Sequence, residues 1–211
     1  SSNGVFDLNG FNAGFTNVAL SALSNTITNN GAAASFTLSA QANTISALVT
    51  DGTGVLTFRL SNANSGVTPF LLTSPNTFSG GLVLLNSGAG TRLRITGLIT
   101  TVGAPGAIVS SPFGRGAITI GTVATDRAQI LFDTVANNTL VNNIIVNTAL
   151  GTDVYGAFRI DTAGHTFSGT ITANLARAKF ASGGTVTLTG QLTGPNGLDV
   201  LNSGGVTLNN Q

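Results

Sequence analysis

The sequence predicts an all-β chain whose very short strands wind as a single-stranded parallel β-helix, with little or no helix. Three observations predict it. The first is a repeated turn: Asn76-Thr77-Phe78-Ser79-Gly80-Gly81 is echoed by His165-Thr166-Phe167-Ser168-Gly169-Thr170, and each runs straight into a short β-branched or Leu-rich segment. Recurrence of one turn feeding one kind of strand marks a stacked repeat array. The second is rhythm: apolar triplets return about every dozen residues, separated by Gly, Asn, Ser and Thr. The third is composition: 42% of residues are hydrophobic but only 7% are charged, and Glu is absent. Soluble domains usually carry about a quarter charged residues. Thr, which suits strands, and Asn and Gly, which suit tight turns, must keep this surface wet instead.

In order, the first half offers apolar bursts at residues 5–8, 35–38, 45–49, 55–60, 82–85, 93–95 and 98–102. Turn chemistry sits between them, at Asn9-Gly10, at residues 29–31 and at residues 51–54. Pro69 and Pro75 bracket residues 70–72, which argues for a short or edge strand there. Pro105-Gly106 opens a longer loop reaching Arg115. The second half is more regular: residues 118–120, 130–132, 144–146, 158–160, 171–173, 186–188, 198–200 and 206–208 are triplets with apolar outer positions. Ile-Thr-Ile, Phe-Arg-Ile, Val-Thr-Leu and Leu-Asp-Val alternate with period two, one face in and one out. Only residues 173–180 have a helical composition, and Asn174 and the flanking strands oppose it. The chain reads as one solenoid over residues 1–211, a segment or mature subunit of a longer secreted product.

A sandwich or barrel is the other all-β design. Sandwich strands run about 5–6 residues and are joined by hairpins. Here the segments are shorter and the turns more varied, so the solenoid is favoured. Coils of ~20–26 residues at ~4.8 Å each predict roughly eight to ten coils and a rod about 40–50 Å long. Asn side chains at successive corners can ladder up such a stack, and Asn138, Asn142 and their neighbours are the candidates.

Several functions are disfavoured by composition. Lys+Arg number 8 against Asp+Glu 7, a net charge of +1 with no basic stripe, so nucleic acid is not an expected partner. No apolar run approaches the ~18–20 residues of a membrane-spanning helix. Cys and Met are both absent, so disulfides contribute nothing. With no Met at position 1, the chain is expected to follow a cleavage or to be a piece of a longer polypeptide.

Residues 4–12 (Gly-Val-Phe-Asp-Leu-Asn-Gly-Phe-Asn), 76–81, 113–120, 140–144 and 204–208 together resemble the phrases of bacterial autotransporter-associated β-strand repeat proteins. The resemblance implies a right-handed parallel β-helix from the secreted passenger of a surface-displayed protein. It implies an adhesive or structural role, an extracellular or bacterial cell-surface location, and no catalytic residues or cofactor. His165 and Thr170 depart from the Asn and Gly of the first signature.

The lone His165 takes the place of Asn76, so a corner role is simpler than that of a base or a metal ligand. No second His and no Cys accompany it. The enzymatic alternative is a polysaccharide lyase or glycosidase, with carboxylates among Asp126, Arg127, Asp133, Asp153, Arg159 and Asp161 facing one groove. Against it stand one Tyr and no Trp for sugar stacking. A viral tail fibre or spike is a third reading. A solenoid exposes strand edges wherever no polar cap covers it. Val5, Phe6, Leu8, Val206 and Leu208 are therefore expected to mark sticky ends that stack head-to-tail or run on into further repeats. Expected partners are other copies of the chain, or carbohydrate on a host or neighbouring cell.

Overall fold

A computed structural model describes residues 3–18, 20–22, 24–40, 43–62, 68–85, 90–150, 156–181, 183–201 and 204–209. Among them every strand pairing but one is parallel, and no helix occurs. Every turn of the chain visits up to three faces in the same order, so strands hydrogen-bond to those one turn away. The long face stacks eight strands, from Ala13–Thr16 through Ala34–Ala40 and Leu56–Asn62 to Leu192–Thr193. The second face stacks seven, from Asn43–Ile45 through Thr91–Ile95, Ala128–Phe132 and Phe158–Ile160 to Leu198–Leu201. The third is split: Val5–Asp7, Thr26–Thr28 and Leu48–Val49 form one part, and Thr139–Leu140, His165–Phe167, Val186–Leu188 and Val206–Leu208 the other. The expected parallel β-helix is thus observed, in about eight turns.

Period-two alternation becomes walls. In Ile118–Ile120, Phe158–Ile160 and Val186–Leu188 the outer residues are buried and the central Thr, Arg or Thr faces out. In-register stacking then lines up like with like: Phe36 sits on Phe58, and Thr166 on Thr187. One turn alone cannot hide its inward side chains, but a neighbour above and below can. Phe36, Phe58 and Phe78 form one internal column with ring centroids 5.8 Å apart at each step. Phe132, Phe158, Phe167 and Phe180 form a second, within which Phe158 and Phe180 stack at 4.3 Å. Leu82, Leu84, Ile118 and Ile120, all fully buried, fill the space between.

Several expectations are corrected. Turn length is less uniform than ~20–26 residues: contacts between neighbouring turns join residues 21 apart at Asn25 and Gly4, 27 apart at His165 and Asn138, and 38 apart at Arg115 and Thr77. The long turn contains an inserted hairpin, Val102–Ala104 antiparallel to Ala107–Ser110, where a plain loop was expected. Its turn is Pro105-Gly106, with Gly106 at φ 79°, the Pro-Gly pairing that a tight reversal favours. Pro69 lies in Thr68–Leu72, inside the second face rather than at its edge. Pairing to Asn43–Ile45 begins only at Phe70, so the missing amide falls outside that ladder. Residues 173–180 are not helical: Ile171–Ala173 and Ala178–Ala181 are strands, since Ala178 and Phe180 point in while Lys179 points out. Asn138 and Asn142 lie on one turn and make separate contacts. The Asn stack is elsewhere, with Asn174 Nδ2 donating to Asn147 Oδ1 (2.8 Å) and Asn196 Nδ2 to the Asn174 carbonyl (2.6 Å).

Candidate functional site

The repeated signature builds one corner twice. The Thr77 N–H donates to the Val49 carbonyl at 3.0 Å, and the Thr166 N–H to that of Asn138 at 2.8 Å. One residue earlier, Asn76 Oδ1 accepts the Val49 N–H at 2.8 Å. His165 Nδ1 accepts the Asn138 N–H at 3.2 Å. The His-for-Asn exchange therefore preserves an acceptor. Phe78 and Phe167 plug the core, and Ser79 N–H donates to both oxygens of Asp51. Gly80 and Gly169 mark a close approach: a Cβ on Gly169 would lie 2.2 Å from the Asn142 carbonyl oxygen, and one on Gly80 2.6 Å from that of Leu56. Gly81, at φ 90°, becomes Thr170 in the second copy, whose N–H is taken by Asn143 Oδ1 at 2.9 Å.

His165 is fully buried, with its ring 4.4 Å from that of Phe132. Nδ1 accepts from a backbone N–H, so the proton sits on Nε2, 2.9 Å from Thr162 Oγ1. The Thr162 hydroxyl in turn donates to the Val135 carbonyl at 3.2 Å. Burial pushes the imidazole below its ordinary pKa, and a hydrogen bond to the Thr162 backbone pulls more weakly the other way. A ring enclosed on both nitrogens has no lone pair free for a substrate or metal.

Among the described residues, the charged groups singled out by sequence fall apart into a set on the second face and a separate local turn. Asp133 is ion-paired with Arg94 from the preceding turn, and Arg159 grips Asp161 through two contacts of 2.9 Å. Phe132 and Ile160 are register partners, so Asp133 and Asp161 follow them on adjacent turns of the second face. Asp126 instead closes a local turn, accepting from Thr122 Oγ1 (2.8 Å) and the Val123 N–H (3.1 Å). Burial pushes its carboxyl up, but these hydrogen bonds outweigh burial and hold it below the usual carboxylate value. Arg127 is exposed, and Asp153 lies outside the described residues. Asp51, which no sequence signal marked, joins three turns: it accepts from Leu56 N–H, Ser79 N–H and Arg115 Nη2, each at 2.8–2.9 Å.

Beside Arg94 lies a groove of about 370 Å³, lined chiefly by Leu72, Pro75, Ile95, Leu98, Ile99 and Phe113. It opens where residues 96–101 leave the wall for the hairpin. Its volume is that of a small-ligand pocket. Its one guanidinium is the Arg94 already paired with Asp133. Sequence reading missed it because the lining comes from two turns, one of them lengthened by the hairpin. Pro105-Gly106 flanked by Val102 and Val109 was the available clue to the hairpin.

No family model, curated protein or solved structure matches this chain.

At the first turn Val5 is 71% exposed and Phe6 40%, with Phe15 edge-on to Phe6 at 5.2 Å. Leu8 is only 3% exposed and belongs to the core. At the last, Val206 is half-buried against the core and Leu208 is exposed. Among the described residues no group of three or more His, Cys, Asp or Glu converges as metal ligands, and no helix is long and apolar enough to cross a membrane.

Proposed function

We propose that this chain is a non-catalytic structural or adhesive rod, a β-helical part of an exported, surface-displayed bacterial protein of the autotransporter-passenger type. The observation that carries the reading is the use made of the six acids that the structure describes. Asp51, Asp133, Asp161 and Asp199 are each held by an arginine, and Asp7 and Asp126 by amide or hydroxyl donors. A general acid and base must aim free oxygens at a glycosidic bond. Here the carboxylates tie the wall together, chiefly across neighbouring turns. The open first and last turns, with Val5, Phe6 and Leu208 exposed, suit continuation into further turns or head-to-tail stacking of copies.

Two measurements test it. Incubation with acidic and neutral polysaccharides is expected to release no unsaturated or reducing ends. Ends that appear with the wild-type chain and vanish in Asp133→Asn or Asp161→Asn would make it an enzyme instead. Electron microscopy at high concentration is expected to show rods or fibres lengthening in steps of one chain. Compact particles of constant size would remove the stacking part of the proposal.

A further inference from the structure

Hydrogen bonds at His165 reach well beyond its own corner. The imidazole accepts the Asn138 N–H, while Asn138 Oδ1 accepts the Ile99 N–H at 2.7 Å. Ile99 lines the groove and lies in the segment that leads to the hairpin. That segment is tied to the following turn at two points, at Ile99 by Asn138 and at Thr96 by the Thr134 hydroxyl (3.0 Å). Asn138 Nδ2 also donates to the Val135 carbonyl, the same acceptor that Thr162 uses. One imidazole thus sits at the end of a relay crossing three turns: Thr162 and His165, then Val135 and Asn138, then Ile99.

We infer that His165 is a proton-sensitive latch, which in its neutral form holds Asn138 and through it the groove wall and hairpin root, and which releases them when it takes up a proton. The relay is complete only for the neutral ring with its proton on Nε2. A second proton, taken from water onto Nδ1, turns the acceptor into a donor facing the Asn138 N–H. That hydrogen bond is then lost, and a cation is left in an apolar shell. No other covalent change is involved.

Among the described residues the cation gains no carboxylate partner, and Thr162, which already accepts from Nε2, stays its hydrogen-bond partner. Phe132, packed against the ring, and Val186, its register partner on the next turn, are apolar. Thr139–Leu140 and Val186–Leu188 carry no charged residue. On the second face the nearest charged groups in sequence are Asp133, Arg159 and Asp161, on the outer surface and committed to the Arg94–Asp133 and Arg159–Asp161 pairs. Asn76 shows the alternative: the same place in the corner, the same accepted backbone N–H, and no titration.

The latch is tested on the intact chain by amide hydrogen exchange, corrected for the intrinsic pH dependence of exchange. Protection at Ile99 and Asn138 is expected to fall severalfold between pH 7.5 and pH 5, because the closed corner disfavours a proton that the opened one takes up. Amides of the Phe36–Phe58 column should hold their protection. His165→Asn should keep Ile99 protected at both pH values. Unchanged protection at Ile99 in the wild-type chain, or an equal loss in His165→Asn, would overturn the inference. Nitrogen NMR of the wild-type imidazole supplies a test that needs no variant: the Nε2–H tautomer is expected, and an Nδ1–H tautomer would sink the relay.

Discussion

At the scale of single residues, the corners set the tolerances. Ala at position 169 would press its Cβ against the Asn142 carbonyl, whereas a Cβ on Gly97 would meet nothing within 4 Å. Overpacking against backbone costs about 1–3 kcal/mol. Urea unfolding should therefore show Gly169→Ala destabilised on the order of 2 kcal/mol or more and Gly97→Ala close to wild type. His165 brings a pH dependence whose sign follows from its depressed pKa. The folded chain prefers the neutral ring. The imidazole's share of stability is thus fully present above the unfolded value near 6.5 and is lost as pH falls towards the lower folded value. Asp51 and Asp126 are held below 3.8, so their share persists down to about pH 4 and is lost only in stronger acid. Unfolding midpoints should therefore fall in two separate steps, the upper one missing in His165→Asn. A single acid step identical in both proteins would count against that assignment.

At the scale of elements, the aromatic columns outweigh the charges. Phe158 packs face to face with Phe180 and edge-on to Phe167, fully enclosed. Phe158→Ala should cost about 3–5 kcal/mol. Arg159, one residue away on the same strand, points outward to Asp161, and both side chains keep about a quarter of their surface in solvent. Exposed ion pairs contribute about 0.2–1 kcal/mol, so Arg159→Ala should be nearly silent in the same assay. The hairpin is the other element-level case. Among the described residues its two strands pair only with each other. Exchanging residues 102–110 for a short Gly-Ser linker should leave the melting temperature within a few degrees of wild type. Loss of cooperative unfolding would show instead that the hairpin helps hold its turn.

At the scale of the whole molecule, the fold is close to one-dimensional. Each turn touches chiefly its two neighbours, so stability is a sum over turns and their contacts. Native-state hydrogen exchange should be slowest around Ile118–Ile120 and Ile144–Val146 and fastest at Val5–Asp7 and Val206–Leu208. Uniform protection along the stack would imply that the ends are covered, as in an assembled filament. About eight turns at ~4.8 Å give a column of roughly 40 Å, the lower end of the expected range, because the inserted hairpin and the longer corners spend residues on width rather than height.

Much of this architecture is written in local chemistry. Alternation in Ile118–Ile120 or Val186–Leu188 decides which side chains face in, and the Thr-Phe-Ser-Gly echo decides that corners stack, because both patterns depend only on neighbours in the chain. The echo also placed His165 on Asn76, and the two do occupy the same corner. What could not be read is what turns far apart in sequence bring together. Asp51 with Arg115, the Asn147–Asn174 stack, the groove between residues 71–75 and 94–100, and the tie from His165 through Asn138 to Ile99 are such cases. Their partners depend on the length of each turn, and those lengths are irregular. Strand periodicity marks the rungs, but only the closed stack shows which residues meet across them.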